Sequence, residues 1–172
     1  MRNNTKRLTA LALTVSFALI LSFIESKIPA FVAIPGVKVG LANIAVIFTL
    51  YKFGVGEAIT VSVMRVFLVS VLFGSPVSFI YSISGATASL AVMIILKKLT
   101  ALTESGVSVV GGVVHNVAQI GVASLMLETN VVTYYLPFLL LSGTIAGVAV
   151  GAASAMLLKR IKIDFPKKQK GK

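Results

Sequence analysis

Long apolar stretches separated by short polar or basic segments dominate the hydropathy pattern of this chain. Most of them are close to the roughly 20 residues that an α-helix needs to cross the hydrocarbon core of a bilayer, and the second is short for a crossing. The pattern predicts one membrane domain over residues 1–172, an all-α bundle of six transmembrane helices. We place the helices at about 8–24, 39–53, 55–73, 77–96, 106–127 and 132–158, with a basic tail over 159–172.

The composition supports a membrane protein and narrows its chemistry. The 172 residues are 57% hydrophobic and 12% charged, whereas a soluble domain has about 25% charged residues. The chain has no cysteine and one histidine, which excludes disulfides and thiol catalysis and argues against a metal site of clustered ligands. Because no nucleophile and base form an evident pair, we expect no catalytic residue, no metal and no cofactor.

The distribution of positive charge predicts the orientation of the helices. The net charge is +11, but Lys and Arg flank the hydrophobic segments, so we do not expect nucleic acid as a partner. With both termini in the cytoplasm, the basic residues of 2–7, 52, 97–98 and 159–172 lie inside, and only Lys27 and Lys38 lie outside. This asymmetry follows the positive-inside rule. The tail is then placed near anionic membrane lipid.

The first helix and the loop after it each leave two interpretations open. Small residues recur at every fourth position of the helix and form a stripe on one face, namely Ala10, Thr14, Ala18 and Ser22. Such a stripe lets another helix approach closely, and that helix is either internal or part of another protein. The loop at 25–38 is apolar and contains two prolines. It is either a lid over the bundle or a segment lying in the membrane interface.

The fifth helix carries three polar side chains near its middle, His115, Asn116 and Gln119. At about 100° per residue, these side chains occupy one arc of the helix, and Gly111 and Gly112 continue that face. A polar arc that faced lipid would be costly, so the arc should face the bundle interior. An interhelical hydrogen-bond clamp is one interpretation. A ligand cavity is the other, and we prefer it because the glycines leave space.

Arg65 lies near the centre of the third helix. A central arginine costs at least ~2.5 kcal/mol on insertion scales unless another group compensates its charge, and the helix cores contain no Asp or Glu. Its guanidinium suits a carboxylate or phosphate ligand. The alternative is a purely structural salt bridge with Glu25 or Glu128 reaching inward. Together with Asn43 and Lys38, Arg65 and the polar arc predict an outward-opening cavity for a small polar or anionic solute.

Two stretches carry a resemblance to a known family. Residues 35–43, PGVKVGLAN, and 111–119, GGVVHNVAQ, resemble the two signatures of the Gx transporter family, also described as heptaprenyl diphosphate synthase component I. Arg65 and residues 82–85 fit the middle of that pattern. The resemblance implies the six-helix fold of the S components of energy-coupling-factor (ECF) vitamin transporters. It also implies that the stripe of the first helix contacts a membrane coupling subunit driven by cytoplasmic ATPases.

These observations predict a multi-pass protein of a bacterial inner membrane that binds a small, anionic solute for uptake. The expected substrate-binding residues are Arg65, His115, Asn116, Gln119, Asn43 and Lys38. A non-catalytic membrane component associated with polyprenyl diphosphate synthesis is the alternative, and a structural subunit of a larger complex is a third possibility. Prenyl transfer by the chain alone is not expected, because magnesium needs converging carboxylate oxygens and the acidic residues are scattered. They are Glu25, Glu57, Glu104, Glu128 and Asp164.

Overall fold

The computed structural model describes residues 2–27, 40–129 and 131–161. Within these ranges the chain forms six α-helices and one 3-10 helix, without any strand. The helices are α1 (Arg2–Lys27), α2 (Asn43–Lys52), α3 (Val55–Phe73), α4 (Pro76–Leu99), α5 (Glu104–Met126) and α6 (Leu136–Arg160), and the 3-10 helix is Val131–Tyr135. The prediction of an all-α membrane protein is confirmed.

Five of the helices are long and apolar enough to cross a membrane, namely α1, α3, α4, α5, and α6 with the 3-10 turn before it. Their outer faces expose large apolar side chains, such as Leu125 at 80% and Ile145 at 63%, as contact with lipid requires. Helix α2 has 10 residues and is about 15 Å long, half of the ~30 Å hydrocarbon core. Six crossings and two cytoplasmic termini therefore stay predictions.

Helix α2 lies at the centre of the bundle, in contact with α1, α3, α5 and α6. Most of its side chains are buried, and Val46, Ile47 and Leu50 belong to the main apolar cluster. A helix that is apolar on all sides is typical of such a position. The helix begins at Asn43 rather than near residue 39, because Gly40 has a φ of +90° and the chain turns before the helix starts.

Helices α1 and α3 run parallel, side by side. Near their starts, Arg7 forms a salt bridge with Glu57. Near their ends, the rings of Phe23 and Phe73 lie 5.3 Å apart between centroids. The two helices therefore keep the same alignment along their length, and the end of α1 lies beside the end of α3.

The two ends of the bundle differ in charge. Lys97 Nζ donates a hydrogen bond of 2.5 Å to the carbonyl oxygen of Leu50, which joins the ends of α4 and α2. Lysines also lie in the last turns of α2 and α6, as Lys52 and Lys159. We call this end of the bundle, where Arg7 also lies, the basic end. We call the other end, where α1 and α3 finish, the opposite end.

The pair α5 and α6 packs through glycines. A Cβ atom on Gly147 would lie 2.6 Å from Val109 Cα, and one on Gly112 would lie 2.6 Å from the carbonyl oxygen of Gly143. Real Cβ atoms do not approach backbone so closely, so only glycine permits this helix separation. Gly143, Gly147 and Gly151, which recur at every fourth position of α6 and form a glycine ridge, therefore pack directly on α5.

Candidate functional site

A small polar cavity lies between α1, α3, α4 and α5, in the half of the bundle near the opposite end. Its volume is about 20 Å³, and it is lined by Ser22, Glu25, Gly40, Arg65, Val66, Val69, Ser82 and His115. A space of this size holds about one water molecule. The helices are therefore closed around a set of polar groups, and a larger occupant requires them to separate.

Glu25 is the charged partner that faces Arg65 in this cavity. Both side chains are buried, with 6% of Glu25 and 7% of Arg65 exposed. The carboxylate acts electrostatically on the guanidinium and also accepts a hydrogen bond from the Gly40 N–H. The sequence left two ways to compensate the charge of Arg65, an anionic ligand or a carboxylate that reaches inward from a helix end. Glu25 is such a carboxylate. Arg65 Nε has no hydrogen-bond partner among the described residues, so the pair leaves a buried donor unused.

His115 reaches the cavity because Gly85 lies opposite it on α4. A Cβ atom on Gly85 would lie 2.8 Å from His115 Cε1 and 2.9 Å from Nδ1. Any side chain at this position would displace the imidazole, which is 6% exposed. Ser82, one turn before Gly85, lines the same cavity. The 82–85 stretch of α4 therefore positions both a hydroxyl and the imidazole at the site.

A second cavity of about 10 Å³ lies deeper in the bundle, between α2, α4, α5 and α6. Asn43, Ser89 and Ser108 supply its polar side chains, and Gly111 forms part of its α5 wall. Gly40 borders both cavities. Its φ of +90° is a conformation that side chains other than glycine rarely adopt. Glycine therefore lets the chain pass between the two cavities.

The structure brings part of the predicted site together. Arg65 and His115 line the first cavity, and Asn43 lines the second. Gln119 is only 1% exposed, but in the described residues it lines neither cavity. Lys38 and most of the 25–38 loop lie outside the described residues. The predicted lid and the role of Lys38 therefore stay predictions.

Asn116 faces α6, whereas its neighbour His115 faces α4. Its Nδ2 donates a hydrogen bond of 2.8 Å to the carbonyl oxygen of Leu139 on α6. This is an interhelical clamp, the interpretation that was not preferred from the sequence. In the arrangement described, Asn116 joins α5 to α6, and its expected contact with a solute has no support from this geometry.

The small-residue stripe of α1 faces the bundle over most of its length. Thr14, Ala18 and Ser22 are 8%, 0% and 4% exposed, and α1 packs against α2 and α3. Ser22 also lines the first cavity. An internal helix contact, one of the two alternatives, accounts for Ala18 and Ser22. Contact of Ala10 and Thr14 with another protein stays a prediction.

A larger, apolar groove of about 260 Å³ lies at the basic end, between α1, α2 and α6. It is lined by Ala10, Leu13, Thr14, Phe17, Ala45, Phe48, Phe53, Leu157 and Ile161. Lys159 and Arg160 stand in sequence between two of these lining residues, and Lys6 and Arg7 precede another by one turn. The groove therefore has an apolar lining, with basic residues next to it in sequence.

Glu25, Ser22 and Ser82 were not predicted as cavity residues, and Glu25 had a usable signal. An arginine in a membrane helix needs a counter-charge, and Glu25 is one of five acidic residues in the chain. The two serines had no such signal, because their position depends on the packing of α1 and α4. Within the described ranges, no group of three His, Cys, Asp or Glu residues is arranged to hold a metal ion.

Comparison with known proteins identifies a family. No curated protein matches this chain, and no solved structure does so. A family model described as heptaprenyl diphosphate synthase component I matches residues 14–157. The matched segment contains Glu25, Arg65 and His115, and all of α2, α3, α4 and α5. Because the match covers most of the 172 residues, the chain belongs to the heptaprenyl diphosphate synthase component I family.

Proposed function

We propose that this protein is a membrane subunit that binds a small solute in the cavity around Arg65. The observation that carries the proposal is the convergence of Arg65, Glu25, His115 and Ser82 on one small cavity inside a membrane bundle. Ionisable side chains inside a membrane are costly, and they typically mark the path or the site of a substrate. In this proposal the solute is taken up across a bacterial inner membrane, as the S components of ECF transporters do.

The pairing of Arg65 with Glu25 refines how a solute would bind. A carboxylate or phosphate suits the planar guanidinium, which can donate two parallel hydrogen bonds to it. Such a solute would replace Glu25 as the anion nearest Arg65, while Glu25 keeps the hydrogen bond that it accepts from the Gly40 N–H. We therefore keep a small anionic solute as the proposed substrate. When the site is closed, Glu25 supplies the negative charge that acts on Arg65.

Binding requires the helices to move apart near the opposite end. The cavity of about 20 Å³ is far smaller than typical ligand pockets of roughly 300–1,000 Å³. Glu25 and Ser22 form the α1 wall of the cavity, so a displacement of the end of α1 would enlarge it. A coupling subunit with ATPases would supply the energy for uptake in this proposal, with Ala10 and Thr14 as its contact on α1.

The second candidate function is that of a non-catalytic membrane component associated with polyprenyl diphosphate synthesis. The description of the matching family favours it. One structural observation also favours it, because the apolar groove at the basic end could hold a hydrocarbon chain, and Lys159 and Arg160 in the last turn of α6 would attract a diphosphate. In this candidate the partner is a separate synthase, since the acidic residues of this chain are scattered.

Mass spectrometry of small molecules retained by the detergent-solubilised protein tests both candidates. We expect the wild type to retain an acidic polar molecule, because Arg65 provides a buried site for it. Arg65→Gln should lose this molecule. Ser154→Ala should keep it, because Ser154 is buried on α6 and lines neither cavity. Retention of an isoprenoid that is unaffected by Arg65→Gln would contradict the first candidate and support the second.

A further inference from the structure

Two buried serines in the deeper cavity leave their hydroxyl groups without hydrogen-bond partners. Ser89 is 1% exposed and Ser108 is 2% exposed, and neither Oγ atom has a partner among the described residues. A buried hydroxyl without a partner costs stability, so each unpaired group in a folded protein needs an explanation. Both hydroxyls line the same space of about 10 Å³.

The missing hydrogen bonds of Ser89 and Ser108 are informative, because other hydroxyls in the bundle bond to the backbone of their own helix. Thr49 donates to the Ala45 carbonyl oxygen at 2.7 Å, and Ser154 donates to the Val150 carbonyl oxygen at 2.8 Å. That arrangement satisfies a hydroxyl inside an apolar helix, and Ser154 also bonds to the Ile44 carbonyl oxygen of α2. Ser89 and Ser108 do not use it, and they remain available to a group in the cavity.

The deeper cavity lies at a fixed distance from the first cavity. Ser82 and Ser89 are separated by seven residues on α4, and His115 and Ser108 by seven residues on α5. Seven residues of α-helix are about 10 Å long. On both helices, therefore, the polar group of one cavity lies two turns from that of the other, and Gly40 borders both spaces.

We propose that the deeper cavity binds the neutral, hydrogen-bonding end of the same solute whose anionic end binds Arg65. This inference rests on the proposed function and adds a class of substrate. The solute carries a carboxylate or phosphate at one end and a hydroxyl or amide about 10 Å away. Ser89 and Ser108 offer both donors and acceptors, as does the amide of Asn43. No charged side chain lines this cavity in the described residues, which matches a neutral group.

Three labelled acids serve as probes of this arrangement, namely octanoate, omega-hydroxyoctanoate and gamma-hydroxybutyrate. Equilibrium dialysis against the purified protein in detergent, with protein-free micelles subtracted, gives their dissociation constants. We expect omega-hydroxyoctanoate to bind roughly tenfold more tightly than octanoate, the effect of about one buried hydrogen bond. Gamma-hydroxybutyrate should bind more weakly than both, because its short chain buries less apolar surface and its hydroxyl cannot reach Ser89 or Ser108.

The variants separate this inference from the proposed function. In Ser89→Ala/Ser108→Ala, we expect the preference for the hydroxylated acid to disappear, while octanoate binding shows that the protein is folded. Ser154→Ala should keep the preference. Equal binding of octanoate and omega-hydroxyoctanoate to the wild type, lost in Arg65→Gln, would leave the proposed function standing and overturn the inference, with the cavity holding a structural water only. Failure of all three acids to bind would overturn both.

Discussion

Glu25→Gln is expected to lower the free energy of unfolding by about 1–3 kcal/mol or more, because it removes the carboxylate that acts on the buried Arg65 and leaves that charge uncompensated. Arg65 is 7% exposed and Glu25 is 6% exposed, so water screens neither group strongly. The measurement is the midpoint of dodecyl-sulfate-induced unfolding in mixed micelles, followed by helical circular dichroism. We expect a large shift of this midpoint towards lower denaturant.

The partner variant shows whether the charge itself is responsible. Glu25→Gln/Arg65→Met removes both charges, so we expect the double variant to recover most of the lost stability. Glu128→Gln removes an exposed carboxylate at the same end of the bundle and should change the unfolding free energy by less than about 0.5 kcal/mol. If Glu25→Gln were as stable as Glu128→Gln, Glu25 would not be the group that compensates Arg65.

Gly112→Ala is expected to destabilise the protein by about 1–3 kcal/mol or more, because overpacking of a tight helix contact forces backbone to move. The added Cβ would lie 2.6 Å from the carbonyl oxygen of Gly143 and 3.5 Å from Gly147 Cα. Backbone atoms of α6 cannot rotate away as a flexible side chain can. The same unfolding midpoint measures this effect.

Gly121→Ala is the matched control, because it makes the same change in the same helix. A Cβ at Gly121 meets no atom within 4 Å. We expect Gly121→Ala to be neutral or to stabilise the protein by up to ~1 kcal/mol, the gain in helix propensity from Gly to Ala. Equal effects of the two substitutions would show that α5 and α6 are not packed as closely as described.

Features that depend on local pattern were predictable from the sequence. The five long helices follow from apolar length, and the glycine ridge of α6 follows from its four-residue spacing. The length of α2 was overestimated because Gly40 has a positive φ. A composition that is apolar throughout does not show where such a turn falls.

The candidate site was predictable only in part, because it depends on contacts between helices. A helical wheel places His115 and Asn116 in one polar arc, but it does not show which neighbouring helix each one faces. In the structure His115 lies against Gly85 of α4, whereas Asn116 bonds to Leu139 of α6. The arc therefore combines both interpretations, a cavity on one side and a clamp on the other.

The pairing of Glu25 with Arg65 also required the packed structure. It depends on the parallel arrangement of α1 and α3, which distant contacts at both ends establish. Sequence alone showed that Arg65 needs a counter-charge or a ligand. Because Glu25 and Arg65 are 40 positions apart in the chain, no local pattern linked them.

The central claim, that the helices around Arg65 separate at the opposite end to admit a solute, can be tested directly by the reactivity of one cysteine. The chain has no native cysteine, so Ser82→Cys places a single thiol in the cavity wall. Ionised thiols in contact with water react with a charged, membrane-impermeant methanethiosulfonate, whereas buried or lipid-facing thiols are inert. Val63→Cys, on a lipid-facing position that is 49% exposed, and Ser154→Cys are the controls. With reagent added outside intact cells, we predict modification of Ser82→Cys and of neither control; a Ser82→Cys thiol as unreactive as Ser154→Cys would contradict the account.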